Sequence, residues 1–288
     1  MNDKLIRGLG INDEVRIFAL DTTETVNEAV KRHGAYPTAA AALGRAMTAT
    51  VVLGAMLKSD EKVTVTIEGG GPIGAIVTDA NAKGEVRGYL KNPQVHFELN
   101  EHGKLDVRRA VGTNGFLRVA KDIGLKDNFV GNVEIVSGEL GEDFSYYFYS
   151  SEQVPSIVAL GVLVNPDNTI KAAGGLIIQV LPNATDETID YLTEAAGKMT
   201  PISKLIDEGL TPEEIVDAAI GADNWRKLDE MPVEFKCTCS KERFLNAMAS
   251  LEKDDIKEMI EEDGGAEATC NFCRNTIWIE KEELEALL

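Results

Sequence analysis

Few side chains in this 288-residue sequence are suited to proton transfer at neutral pH. Histidine occurs three times, at His33, His96 and His102, and no serine or cysteine arrangement around these residues is typical of a catalytic triad. We therefore expect the three histidines to be structural or solvated.

Basic residues are also in deficit. The chain has 29 Lys and Arg against 48 Asp and Glu, for a formal net charge of -19. A field of this sign repels phosphate backbones and anionic lipid headgroups, so we expect neither nucleic acid nor a membrane as partner. The deficit is uneven, because residues 181–288 carry 11 basic and 26 acidic side chains, whereas residues 1–180 carry 18 and 22.

Long apolar runs are scarce. Ala39 to Leu57 is the one stretch that suggests a membrane span, but Arg45 lies inside it, and its many small residues predict a closely packed buried helix instead. Met1 to Glu14 has no apolar core of the kind found in secretory signals, so we expect a cytoplasmic protein.

Hydrophobic periodicity predicts an α+β fold with a mostly antiparallel sheet and packed helices over residues 1–182. Gly69-Gly70-Gly71-Pro72 lacks the Lys-Ser/Thr of a phosphate-binding loop, so we expect a tight turn there. Tyr146, Tyr147 and Tyr149 have few basic neighbours, which favours a half-buried strand over a base-stacking face. The predicted strands are 15–20, 63–67, 73–78, 85–90, 105–111, 116–120, 130–137, 144–149, 158–164 and 170–180.

Residues 183–231 have helical patterning and predict an acidic helical linker. Ile189, Leu192, Ala196 and Met199 recur at three- and four-residue steps. Thr211-Pro212-Glu213-Glu214 is a strong helix start, with a capping residue, proline in the first turn and acids where the helix dipole favours them. Residues 232–288 then form a third, small domain.

Four cysteines occur in this sequence, at Cys237, Cys239, Cys270 and Cys273, all of them in its acidic last third. Two close pairs separated by thirty residues allow two short loops to converge on one tetrahedral ion. Four thiolate ligands that leave no coordination position open are typical of structural zinc. We therefore predict that these four residues bind one Zn²⁺ in the reduced protein, and that losing zinc unfolds this domain.

Two interpretations of such a zinc site remain at this point. A permanent zinc ribbon would serve only as a scaffold or a docking surface. A disulfide within Cys237-Thr238-Cys239 would close a tight and strained ring, which favours a labile, switchable bond over a permanent one.

The chain resembles the redox-regulated holdase chaperones of the 33-kilodalton heat-shock protein family over essentially its whole length. Beside the two cysteine pairs, four segments carry the resemblance: Tyr36-Pro37-Thr38 with Leu43-Gly44-Arg45-Ala46, Glu68 to Gly74, Asn165-Pro166-Asp167, and Gly174-Gly175-Leu176.

The resemblance implies a chaperone that is not an enzyme and that is inactive while reduced and zinc-bound. Oxidants would then join Cys237 to Cys239 and Cys270 to Cys273 and release the zinc. The switch domain and the linker would lose structure and expose a surface that holds unfolding client proteins without ATP. It further implies a homodimer in the oxidised state and transfer of clients to ATP-dependent refolding chaperones.

Two other functions stay open on the residues alone. One is a thiol oxidoreductase that uses Cys270 and Cys273 catalytically, although such motifs sit at a strand-to-helix junction of a βαβ unit. The other is a constitutive zinc-dependent interaction protein, whose activity would not respond to oxidation.

Overall fold

The computed structural model describes residues 3–288, which belong to two compact units, Met1–Phe235 and Lys236–Leu288. Each unit has its own secondary structure and its own apolar cluster. The predicted three-part division, with boundaries after residues 182 and 231, stays a prediction.

The helices and strands follow one another along both units. The strands are β1 Lys4–Gly10, β2 Val15–Asp21, β3 Lys62–Glu68, β4 Ala75–Asn81, β5 Glu85–Leu90, β6 Phe116–Asp122, β7 Phe129–Glu134, β8 Ser156–Val164, β9 Ile170–Val180, β10 Trp225–Pro232, β11 Glu234–Phe235, β12 Gly265–Thr269 and β13 Thr276–Glu280. The α-helices are α1 Thr23–His33, α2 Pro37–Ala55, α3 Val107–Val111, α4 Gly141–Ser150, α5 Asp186–Lys198, α6 Ile202–Asp207, α7 Pro212–Ile220, α8 Lys241–Met248, α9 Lys253–Glu258 and α10 Lys281–Glu285.

Unit Met1–Phe235 contains two sheets. The first has the order β10-β1-β2-β9-β8 and is antiparallel throughout. The second has the order β11-β5-β4-β3-β6-β7, in which only the short β11 pairs in parallel. The expected α+β class with mostly antiparallel pairing is confirmed, with two sheets in place of one.

Helix α2 joins the two sheets, because it packs against strands of both. Its many alanines allow this close approach, and two buried threonine pairs fix its position: Thr48 with Thr22 at 2.8 Å and Thr50 with Thr78 at 2.6 Å. Within residues 3–288 it is the one helix long and apolar enough to cross a membrane, and 94% of that window is buried inside the protein. The prediction of a buried core helix is thus confirmed.

Two predicted strands are helices. Residues 144–149 lie in α4, where Phe144, Tyr147 and Phe148 are buried at helical spacing and Tyr146 and Tyr149 are exposed. Aromatic residues have high strand propensity but pack equally well on one helix face, and here the buried cluster selects the helix.

The other predicted strand, 105–111, contains the short helix α3. The carboxylate of Asp106 accepts a hydrogen bond from the backbone N–H of Arg109, and Val107, Ala110 and Val111 face the core. A helix suits this segment better than a strand because Asp106 caps its first turn and the buried residues Val107 and Ala110 are three positions apart, about one helical turn.

The predicted linker region holds helices α5, α6 and α7, whose apolar side chains pack against the first sheet. The predicted start of α7 is confirmed: Thr211 and Glu214 form a reciprocal capping box, with Pro212 in the first turn. The last part of the predicted linker is not helical, however, because residues 225–232 form β10, which pairs with β1. This pairing partner lies more than two hundred residues away, so no local pattern indicates it.

We expect Gly161→Ala to displace α6 from the first sheet. A Cβ on Gly161, in β8, would lie 2.6 Å from the Ser203 backbone nitrogen and 2.8 Å from the Ser203 Cβ. The variant should lower the free energy of unfolding by about 1–3 kcal/mol and speed amide exchange in α6, as measured by urea unfolding and hydrogen exchange of the reduced protein.

Gly197→Ala is the matched control for this prediction. A Cβ at this position in α5 meets no atom within 4 Å, so the change should stabilise the helix by about 0.5–1 kcal/mol. Equal unfolding midpoints for the two variants would contradict the close packing of α6 on β8.

Candidate metal centre

The four cysteine sulfurs of unit Lys236–Leu288 converge on one point. The Sγ atoms of Cys237, Cys239, Cys270 and Cys273 all lie within 4.8 Å of one another, although thirty residues separate the two pairs. Cys270 and Cys273 are buried, and Cys237 and Cys239 are half-buried.

The distances between sulfurs match a shared cation. The Sγ atoms of Cys237 and Cys270 are 3.7 Å apart, and those of Cys239 and Cys273 are 3.3 Å apart. Four thiolates at about 2.3 Å from a tetrahedral Zn²⁺ would be about 3.8 Å from one another. Both separations exceed the roughly 2.05 Å of a disulfide bond. The donor set therefore has the composition and the spacing that a thiophilic dication requires.

The first pair is held by the start of α8. Ser240 caps this helix by accepting a hydrogen bond from the Arg243 backbone N–H. The Arg243 side chain then donates to the carbonyl and the hydroxyl of Thr238, at 3.0 and 2.6 Å. Arg243 thus fixes the one residue that separates Cys237 from Cys239.

The second pair lies in the turn between β12 and β13. The Cys270 N–H donates to the Asn275 carbonyl at 2.9 Å, and the Arg274 N–H donates to the Cys270 carbonyl at 2.9 Å. Arg274 has a φ of 60°, in the left-handed region, which turns the chain back into β13. This tight turn brings Cys273 alongside Cys270.

The electrostatics of the cluster disfavour bare thiolates. Burial raises the pKa of the Cys239 thiol well above its usual range, and the three neighbouring sulfurs raise it further. Burial also raises the pKa of Cys273, although a hydrogen bond from the Asn275 backbone N–H opposes the shift. Since four adjacent negative charges repel one another, full deprotonation requires a cation among them.

The unit around the cluster has a small apolar core. Its buried apolar side chains, apart from the cysteines, are Ile256, Ala266, Ala268, Ile279 and Leu284. Helix α8 adds only partly buried side chains to this core, those of Phe244, Leu245 and Met248. A core of this size is weak for independent folding, so the cluster of sulfurs is the main candidate for holding the unit together.

The other sequence candidates lie apart from this centre. His33 is buried with its Nε2 3.1 Å from the Gly88 carbonyl, His96 contacts the Thr38 hydroxyl at 3.0 Å, and His102 is exposed beside Glu101. The three histidines therefore have separate structural or solvated settings, as expected.

The glycine-rich segment is a turn, as expected, and its small residues allow a close backbone approach. A Cβ on Gly71 would lie 2.3 Å from the Ala110 carbonyl oxygen.

Sequence reasoning missed Arg243 and Asn275, which orient the two cysteine loops. The segment Ser240-Lys241-Glu242-Arg243 did carry a signal for Arg243. A serine N-cap places the residue three positions later in the first turn of the helix, from which a long side chain reaches back to the preceding loop. The hydrogen bonds of Asn275 are made by its backbone, so its side chain carried no such signal.

Known proteins are similar to this chain in sequence and in fold. The sequence model of one family, described as "Hsp33 protein", matches residues 3–280. A 33 kDa chaperonin of Bacillus licheniformis is 62% identical over 285 residues, covering 99% of this chain and 98% of the relative. A 33 kDa chaperonin of Staphylococcus aureus is 60% identical over 287 residues, covering 100% of this chain and 98% of the relative.

A solved structure agrees with these relatives. The crystal structure of a 33 kDa chaperonin (heat shock protein 33 homolog) from Thermotoga maritima superposes with a TM-score of 0.91 at 35% identity, covering 100% of this chain and 98% of that chain. The resemblance seen in the sequence is thus confirmed, and the chain belongs to the Hsp33 protein family.

Proposed function

We propose that this protein is an ATP-independent holdase chaperone that oxidation switches on. Membership of a chaperone family supports the general activity. The single observation that carries the switch is the convergence of all four cysteine sulfurs within 4.8 Å, in a unit with little other core. A chaperone of this kind holds unfolding clients and needs no catalytic residue.

In the reduced state Cys237, Cys239, Cys270 and Cys273 bind one Zn²⁺. When bound, the ion offsets the charge of four thiolates and so keeps them deprotonated and nucleophilic. Arg243 and the turn at Arg274 hold the two cysteine pairs in place. The same contacts that order the unit therefore keep its sulfurs poised for oxidants.

Oxidation joins Cys237 to Cys239 and Cys270 to Cys273. Each disulfide forms from two thiolates that lose two electrons to the oxidant, so hydrogen peroxide is reduced to water or hypochlorous acid to chloride and water. The four sulfurs contact one another both between the loops, as at 237 to 270 and 239 to 273, and within them. Each proposed disulfide joins two sulfurs of the same loop and so withdraws both of them from the shared centre, which removes what holds the two loops together.

The linker supplies the client-binding surface. Helices α5 to α7 bury an apolar face against the first sheet, and this face is available once they detach. Only four residues of sequence separate the end of β10 at Pro232 from Cys237, so disorder in the switch can spread along the chain. The charge of -15 on residues 181–288 favours the unfolded segment and keeps it soluble.

An oxidoreductase fits the geometry less well. Cys270 and Cys273 lie in the turn of a β-hairpin, whereas the thioredoxin-like motif precedes a helix in a βαβ unit. Two remaining parts of the proposal follow the resemblance: a homodimer when oxidised, and transfer of clients to ATP-dependent refolding chaperones. A cytoplasmic location without nucleic acid or membrane as partner follows the expectations drawn from the sequence and its charge.

We expect the reduced protein to contain one zinc per chain. Treatment with hydrogen peroxide at elevated temperature should release it together with the loss of four thiols, as measured by a chromogenic zinc chelator and a thiol assay. Cys270→Ser should lower zinc affinity by at least tenfold because it leaves three thiolates. Full zinc retention after loss of all four thiols would contradict the proposal.

We expect only the oxidised protein to suppress aggregation of a chemically unfolded client, measured by light scattering after dilution. Cys→Ser changes at positions 237, 239, 270 and 273 test the role of each sulfur. Equal suppression by reduced and oxidised protein would support a constitutive zinc-dependent interaction protein. Catalytic turnover in a disulfide-reduction assay would support the oxidoreductase instead.

We expect Ile215→Asp to give partial activity without oxidation. Ile215, in α7, is fully buried against the first sheet, so a carboxylate there should detach the helix and lower its stability by about 3 kcal/mol or more. Ala218→Asp, on the exposed side of the same helix, is the matched control. If the reduced Ile215→Asp protein suppresses aggregation no better than this control, the linker face is not the client surface.

A further inference from the structure

A cavity of about 490 Å³ lies in unit Met1–Phe235, away from the cysteine cluster. Four parts of the fold line it: helix α2, the loop around residues 99–105, strand β8 and the start of α6. Its volume falls within the range of about 300–1,000 Å³ typical of small-molecule sites.

The surface of this cavity is largely apolar. Leu105, Leu160 and Val162 line it and pack against the main core. Leu99 lines it as well and is 60% exposed, a large exposure for a leucine beside a concave apolar surface. The cavity therefore offers a hydrocarbon chain an apolar surface to lie on and the exposed Leu99 side chain to cover it.

The charged side chains that line the cavity are basic, although the protein as a whole is acidic. Among the described residues, three basic side chains line the cavity, those of Arg45, Lys104 and Lys204, and no acidic side chain does. This occurs in a chain with a net charge of -19. A basic, apolar cavity in an acidic protein favours an anionic ligand with an apolar body.

Arg45 contributes a guanidinium charge to the lining of the cavity. Its Nη1 donates to the carbonyl and the carboxylate of Glu139, at 2.9 and 2.7 Å, while its buried Nε has no partner in the described chain. A guanidinium carries five N–H donors. Because Nε is itself buried, a ligand in the cavity interacts with the charge of this guanidinium rather than with that atom, and this charge favours a carboxylate.

The two lysines are available for the same anion. The Lys204 ammonium is 3.7 Å from the Glu208 carboxylate, a long ion pair between side chains that are 64% and 50% exposed. A pair of this kind contributes little and is easily exchanged for another partner. Lys104 is exposed, and no ion pair of its side chain occurs in the described residues.

We propose that this cavity binds the anion of an unbranched fatty acid of medium chain length. The alkyl chain lies over Leu105, Leu160 and Val162, and the carboxylate points towards Arg45, Lys104 and Lys204. Such a ligand contacts both β8 and α6, so its binding stabilises their packing. The proposal does not rest on the redox function, because it concerns the reduced protein and no chaperone assay is needed to test it.

Isothermal titration of the full reduced, zinc-loaded protein with decanoate, below its micelle concentration, tests this proposal. We expect saturable binding of one decanoate per chain. Decylammonium, with an alkyl chain of the same length and the opposite charge, should bind at least tenfold more weakly. Equal binding of the two amphiphiles, or uptake without saturation, would overturn the proposal in favour of a general surfactant effect.

Variants locate the site. The double change Lys104→Gln and Lys204→Gln should weaken decanoate binding about five- to tenfold. Adding Leu99→Ser to this double variant should weaken binding further. The control Lys126→Gln should leave the affinity unchanged. All four positions are exposed, so these variants keep the fold. Decanoate should also slow amide exchange in α6. Unchanged affinity in the double variant, or no protection of α6, would show that the ligand binds elsewhere.

Discussion

Four thiol groups crowded within 4.8 Å cannot all be ionised unless a cation offsets their repulsion. This constraint governs the whole unit Lys236–Leu288, because its apolar core is small and the side chains of helix α8 are at most partly buried. In the proposed switch, the protonation, metal loading and oxidation state of the sulfurs are therefore coupled to the folding of the unit. A change in sulfur chemistry that would be local in a large core acts here on most of the stabilising interactions.

The linker helices depend on a different balance. Their apolar faces are buried on the first sheet, and their acidic residues remain outside it. Glu213 strengthens this packing by bonding Lys4 of β1 and Lys227 of β10. Although burial opposes ionisation, these two hydrogen bonds lower the pKa of Glu213 to about 2. The stabilisation is present above the ordinary pKa of about 4.5 and is lost as the pH falls towards 2, so physiological acidification leaves it intact.

Local patterns predicted the parts of this fold that depend on local physics. The cysteine spacing predicted the sulfur cluster, the small residues of 39–57 predicted the buried helix, and Thr211 to Glu214 predicted a helix start. The strand prediction for residues 144–149 was wrong because aromatic side chains suit either a strand or one face of a helix. Strand β10 was missed because its partner β1 lies at the other end of the unit. Hydrogen bonds made by the backbone, such as those of Asn275, have no signature in residue type.

The arrangement of the sulfurs also bears on how such a switch would proceed. Each half of the cluster comes from its own loop, one fixed by Arg243 and the other by the turn at Arg274. A disulfide within either loop withdraws two of four ligands at once, and the two that remain cannot complete a tetrahedral site. The two loops then have no common centre, and the small core of Ile256, Ile279 and Leu284 is left to hold them. In the proposed switch, oxidation of one pair thus weakens the position of the other, which makes loss of structure cooperative even though the two disulfides form in separate loops.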